Sequence, residues 1–136
     1  MWWPGSAGTW HEAHNSAGAT LTGTRWALAE GEVGGSRGHE TYNLIANTSS
    51  HAGSATVTLL FEDATSAVRT YPLLPNSRTN VPVAADFSEA QGRRFGAVIE
   101  STGTSPAEIV VERAMYSNAG GVLWAAGTNA LATRLP

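Results

Sequence analysis

The stretch from Phe95 to Tyr116 reads FGAVIES, then TGTSPA, then EIVVERAMY. Two short runs rich in Val and Ile flank a break of Gly, Ser and Pro, the sequence form of two adjacent β-strands joined by a loop. In the second run Ile109, Val111, Arg113 and Met115 share one face; Val110, Glu112, Ala114 and Tyr116 share the other. Both faces are mostly apolar, which places this strand in the middle of a sheet.

Composition limits what such a sheet can serve. The 136 residues suit one domain with one core, and 42% apolar content is ordinary for a globular chain. All eight basic residues are arginine, scattered along a chain of net charge −3. Phosphate binding needs a clustered positive surface, so a nucleic-acid partner is not expected. Without lysine there is no Schiff base, P-loop or Lys–Asn crosslink. Without cysteine there is no disulfide, thiol chemistry or Cys-based zinc site. No apolar run approaches the ~20 residues of a membrane span. Met1–Gly5 has neither a basic start nor an apolar segment, so no signal peptide is expected in these residues. An exported parent protein would make this chain an excised piece.

Working outward, residues 1–24 lack periodicity and are expected to form a lead-in that docks through indoles, with a short strand near Ala19–Thr22. Residues 25–136 form the expected domain. Arg25–Gly31 reads as a strand with Trp26, Leu28 and Glu30 on one face; a short helix is the alternative. Gly31–Gly38 is a loop, Thr41–Asn47 a strand, and Asn47–Ser50 its turn. Ala55–Glu62 alternates cleanly, with Val57, Leu59 and Phe61 inward. Ala67–Leu73 ends near Pro72 and Pro75, which suits a sheet edge. Asn76–Val83 is a further strand, Asp86–Arg94 a polar connection with room for one helical turn, and Val122–Leu135 the last strand region. Seven to eight short strands with turns about every ten residues predict an all-β fold, an antiparallel β-sandwich, with a closed barrel as the alternative.

The two ends echo each other. Offset by 114, from 124 − 10, Trp10 falls on Trp124, Met1 on Met115, Asn15 on Asn129, Leu21 on Leu135 and Trp2 on Tyr116. One reading is chance. The other is a tandem array of about 114 residues per unit, with residues 1–20 closing the previous unit.

Several motifs carry a family resemblance: Trp26–Gly31 (WALAEG), Glu40–Asn47 (ETYNLIAN), Val57–Asp63 (VTLLFED), Pro75–Arg78 (PNSR), Val98–Ser101 (VIES) and Ile109–Tyr116 (IVVERAMY). Together they resemble repeat modules found in tandem in large secreted or cell-surface proteins of high-GC bacteria. Their order is similar to the sensory rhodopsin transducer family, a small oligomeric β-sandwich. The resemblance covers roughly residues 25–135 and departs from the transducer pattern at the Gly/Ala-rich Ser117–Gly127. It implies a β-sandwich with an interaction role, an extracellular or cell-surface setting, no cofactor and no established catalysis.

Three constellations are candidates for chemistry. His11-Glu12-Ala13-His14 spaces its histidines i,i+3 in a Gly/Ser-rich stretch, not i,i+4 on a helix, so the zincin pattern fails. His11 and His14 are left as weak metal candidates needing ligands from elsewhere. Glu30, Glu100, Glu112 and Arg113 sit within apolar strands. A carboxylate pair could act as acid and base in a glycosidase-like cleft. An ion pair of Glu30 or Glu100 with Arg113 is the preferred reading, because a buried charge needs a partner and Arg offers a two-point fork. Trp2, Trp3, Trp10 and Trp124 are binding candidates: exposed indoles stack on sugars, and packing indoles mark a junction. There is no Gly-x-Ser-x-Gly elbow, and the 31–38 loop lacks nucleotide-binding spacing. The expectation is a non-enzymatic structural or interaction module of a larger exported bacterial protein, acting in assembly or adhesion. Its expected partners are neighbouring copies, in homo-oligomers among other forms, or other surface proteins. The alternatives are a carbohydrate-binding module with a glycan partner, or a transducer-like oligomeric signalling partner.

Overall fold

The structure, a computed structural model, describes Trp2–Pro4 and residues 10–136; for the positions before His14 it describes backbone only. Among the described residues, nine strands form two sheets and two more form a separate hairpin. The hairpin joins β1 (Trp2–Pro4) to β2 (Trp10–Ala13). One sheet holds β3 (Arg25–Glu32), β5 (Gly53–Phe61), β6 (Ser66–Leu73), β8 (Arg94–Thr102) and β11 (Thr133–Arg134), in the order β11-β3-β8-β5-β6. The other holds β4 (Glu40–Asn47), β7 (Ser77–Pro82), β9 (Ile109–Ala119) and β10 (Val122–Leu131), in the order β10-β9-β4-β7. Every strand pairing is antiparallel. This is the expected β-sandwich, and not a closed barrel.

Alternation builds the core. In β5 Val57, Leu59 and Phe61 point inward, and in β8 Phe95, Ala97 and Ile99 do the same. Across the gap they meet Ile45, Val81, Ile109 and Val111. Trp26 fills one end with its indole N–H donating 3.2 Å to the Gly23 carbonyl, which satisfies the ring's one polar group. The other end is closed by Val83, Phe87 and Ala90. These come from a four-residue helix α1 (Val83–Asp86) and a 3-10 turn at Ser88–Ala90. The 3-10 turn falls inside the polar connection where one helical turn was expected, and α1 begins three residues before that connection. The reason is that Val83 is needed as a core plug, so the chain bends as soon as β7 ends at Pro82.

Three other expectations are corrected. The segments of the opening stretch, β8 and β9, do not pair. β8 lies between β3 and β5, β9 between β4 and β10, and residues 103–108 carry the chain from one sheet to the other. Gly103 at φ +115 and the buried Ala107 allow that crossing, and Gly/Ser/Pro content is as suited to it as to a hairpin turn. Ala19–Thr22 is not a strand; this exposed segment has a single bridge nearby, Gly23 with Ile109. Third, Glu30 does not simply follow Trp26 and Leu28 on one face. Leu28 opposes Ala97 while Gly31 opposes Phe95, so β3 carries one extra residue there, a β-bulge. β9 is central as expected, and β6 is an edge strand as expected of Pro72.

The bulge depends on Gly31. A Cβ at this position would run into the Phe95 ring, and that ring is itself wedged edge-on against Phe61 at 6.4 Å. Gly31→Ala should therefore lower unfolding stability by about 1–3 kcal/mol, as overpacking usually does. Urea titration checks this, with the far-ultraviolet dichroism of the folded variant unchanged.

Candidate functional site

Two surfaces gather the polar and aromatic side chains. The first is a solvent-open hollow of about 710 Å3 at one end of the sandwich, next to the bulge. Glu30, Glu32, Arg37, His39, Arg94 and Met115 line it, over the rings of Phe61 and Phe95. Some of its charges are paired. Glu32 Oε2 accepts from Arg94 Nε at 3.2 Å, and Glu32 Oε1 lies 3.3 Å from His39 Nδ1, near enough for a charge contact but not aligned as a hydrogen bond. At the bulge Glu30 meets Arg113, whose Nη1 donates to Glu30 Oε2 at 3.2 Å. Arg113 is 4% exposed and Glu30 72%, so the cation is buried and the anion is wet. Burial pulls the guanidinium below its ordinary pKa, and the Glu30 charge pushes it back up. Of the three residues proposed for an ion pair, Glu30 and Arg113 meet. Glu100 does not join them: Ile99 and Ser101 face inward, so Glu100 faces solvent, opposite Arg25 and Thr56.

The second surface is the outer face of the four-stranded sheet. Register brings Tyr42, Tyr116 and Trp124 together there. Trp124 stacks on Tyr116 with ring centroids 4.8 Å apart, and Tyr42 meets both rings edge-on, at 6.0 Å from Tyr116 and 6.4 Å from Trp124. A groove of about 340 Å3 continues past Leu44 to Arg78 and Asn80. β10 carries two extra residues opposite Asn118, and Trp124 lies in that irregularity at φ +54, a conformation costly for a bulky L-residue. The Trp124 N–H donates 2.8 Å to Asn118 Oδ1, which helps to hold it there. Val122 and Leu123 beside it are 54% and 67% exposed, so the hairpin tip is an apolar surface.

The remaining candidates fall as follows. Trp2, Trp3, Trp10 and His11 lie in β1 and β2, and their side chains are outside the described residues. His14 Nε2 donates 2.8 Å to the Asn129 carbonyl. Among the described residues no group of three or more His, Asp or Glu could hold a metal. Sequence reasoning missed Tyr42 and Tyr116. Both lie on alternating outward positions, but only the Tyr42–Ala114 and Glu40–Tyr116 register brings them to Trp124, and register is not written in either strand alone.

One further feature of the backbone bears on both ends of the chain. In the β1–β2 hairpin Trp2 pairs with Ala13 and Trp3 with Glu12, after which the register shifts. In the β9–β10 hairpin Tyr116 pairs with Gly127 and Ser117 with Ala126, after which the register shifts again. Adding 114 to each residue of the first set gives the second.

No family model matches the sequence, and no curated protein does. Among solved structures the fold is similar to that of Thermotoga maritima 1070, with TM-score 0.67 and 14% identity over 81% of this chain and 92% of that one. It is also similar to the Anabaena sensory rhodopsin transducer, with TM-score 0.55 and 20% identity over 71% of this chain and 91% of that one. At these identities the likeness is one of fold, and the transducer-like β fold implied by the motifs is present.

Two outcomes follow from the site chemistry. Glu30→Gln should lower stability by about 1 kcal/mol, below the 3–5 kcal/mol of a fully buried pair, because water reaches the carboxylate; chemical denaturation measures it. Burial raises the Tyr42 phenol to about 12, with its hydrogen bond to Glu40 adding to the effect. Tyrosine in the unfolded chain ionises near 10. The neutral ring thus stabilises the fold fully below that pH, and its contribution fades as pH climbs through the folded value. Between pH 10 and 12 the urea midpoint of the native protein should fall more steeply than that of Tyr42→Phe.

Proposed function

We propose that this chain is a non-catalytic interaction module, one unit of a tandem array, that acts in assembly or adhesion of a larger exported bacterial protein. The observation that carries the reading is the matched register of the two hairpins. A sequence echo of a few residues arises easily by chance. A shared pairing pattern, with the irregularity at the same place, is an independent agreement at the level of backbone geometry. Residues 1–24 then belong to the junction, and residues 25–136 to the unit itself. The exported setting rests on the motif resemblance alone.

The working surface in this reading is the tip of β9–β10. Trp124, Val122 and Leu123 present apolar area to a neighbouring copy or another protein, and their exposure has no use within the unit. The likeness to the Anabaena transducer fits a protein-partner role of this kind. A second reading, glycan binding, is favoured by the aromatic groove ending in Arg78 and Asn80, which would supply a stacking surface and polar contacts. The hollow beside Glu30 is a weaker basis for function, since its Glu30 and Glu32 carboxylates are engaged by Arg113 and Arg94.

Multi-angle light scattering tests the reading. The native chain should form assemblies larger than one copy as concentration rises. Trp124→Ala should weaken that association about tenfold or more, as loss of an anchoring indole does, with its dichroism preserved. Unchanged association in the variant would contradict the reading. A glycan-array signal abolished by Trp124→Ala would favour the second.

A further inference from the structure

The chain enters and leaves the sandwich at one corner. On the way in, the Thr22 hydroxyl donates 2.8 Å to Glu108 Oε2. Gly23 exchanges two backbone hydrogen bonds with Ile109, at 3.1 and 2.9 Å, and its carbonyl also accepts the Trp26 indole N–H. The Thr24 carbonyl accepts 2.7 Å from the Ser101 N–H. On the way out, Thr133 and Arg134 pair with Ala27 and Trp26, and the Leu135 N–H donates 2.9 Å to the Arg25 carbonyl. The Arg134 side chain lies against Gly23, so close that a Cβ there would meet its Cδ at 2.8 Å.

The echo aligns the exit with the entry. At the offset of 114, Leu21 falls on Leu135 (135 − 21) and Thr22 on Pro136 (136 − 22). Leu135 is half-buried and tethered to its own unit through Arg25. Leu21 is 64% exposed. The same leucine is thus sheltered beside its own unit and bare beside the following one. Position 21 is the last tether of the preceding unit, and the Thr22 side chain and Gly23 backbone are already bonded to this one. No free residue is left between them.

Distances then decide how the units sit. Two Cα steps, about 8 Å in all, separate position 21 from Gly23. A domain of this size has a radius of gyration of about 13 Å. Bodies of that width, joined across so short a step, cannot stand apart. At the other end of the unit the position equivalent to Thr22 is Pro136, whose ring fixes its own φ and confines Leu135 to extended backbone.

We infer that consecutive units of the array pack side by side about this corner with no hinge between them, each seated against the end of its neighbour that carries Arg25, Arg134 and Leu135. The inference rests on the array reading proposed above. Because entry and exit share a corner, each unit advances the chain by less than its own width, and the array is a compact stack of fixed pitch instead of a flexible string. Leu21 is buried in that joint. The β9–β10 tip lies at the far end of β9, about 33 Å from Ile109 at 3.3 Å per residue, and stays free for a separate molecule.

A two-unit chain tests this: the 136 residues followed directly by a second copy that starts at Gly23, which keeps the period. The protein has no cysteine, so Thr70→Cys in both copies, on the exposed face of edge strand β6, places one spin label on each unit. The control carries a flexible Gly/Ser insert of about eight residues between Pro136 and Gly23. Pulsed electron paramagnetic resonance of the direct fusion should give one distance, with a spread about half that of the control or less, since the insert lets the units wander. If both copies fold, read from the amplitude of the unfolding transition, and the direct fusion is as broad as the control, the inference is overturned and the array reading stands. A second copy that folds behind the insert but not in the direct fusion shows that 114 is not the period, and overturns both. A second copy that folds in neither chain overturns both as well, because the unit then cannot begin at Gly23.

Discussion

Everything in this sandwich leans on the ladder between β4 and β9. Eight consecutive pairs, from Glu40 with Tyr116 to Asn47 with Ile109, hold the two strands in one register. Ile45, Ile109 and Val111 thereby face the five-stranded sheet and close the core. The same register sets Tyr42 and Tyr116 on the opposite face. A slip of one residue would turn the aromatic face into the core and the core into solvent, so the buried side locks the exposed side in place.

Two irregularities shape the candidate sites of this regular frame. At the extra residue in β3, Glu30 meets Arg113 and satisfies a cation that burial alone would penalise. The extra residues in β10 force Trp124 into a left-handed conformation and out over Tyr116. Strain of this kind persists where surrounding contacts impose it, here the Asn118 hydrogen bond and the tyrosine stack. Both irregularities sit at strand pairings near the same end: Asn118 is also fixed from below, its N–H donating 2.7 Å to the Arg37 carbonyl in the loop that borders the hollow.

The strands were legible in the sequence because alternation and turn residues are local signals. Val57, Leu59 and Phe61 declare their face, and Pro72 declares an edge. The sheet to which a strand belongs is not local, and that is why β8 and β9, neighbours in sequence, were read as partners. TGTSPA serves a crossing between sheets as readily as a hairpin. Bulges are equally silent: nothing in WALAEG marks the added residue, and only pairing with Phe95 and Ala97 reveals it. Glu30 and Arg113 were found because charges inside apolar runs need partners. Glu100 met the same criterion, yet strand parity sends it outward. The aromatic cluster was half legible, through Trp124, since its two tyrosines come from positions 42 and 116 and meet only by register.

In the proposed assembly the four-stranded sheet is the associating face and the five-stranded sheet is not. Amide hydrogen exchange read residue by residue at two protein concentrations addresses this directly. Exchange along β10, an edge strand, should slow as concentration rises, while exchange along β6, the equivalent edge of the other sheet, stays constant. Equal behaviour of the two edges, or slowing at β6 alone, would contradict it.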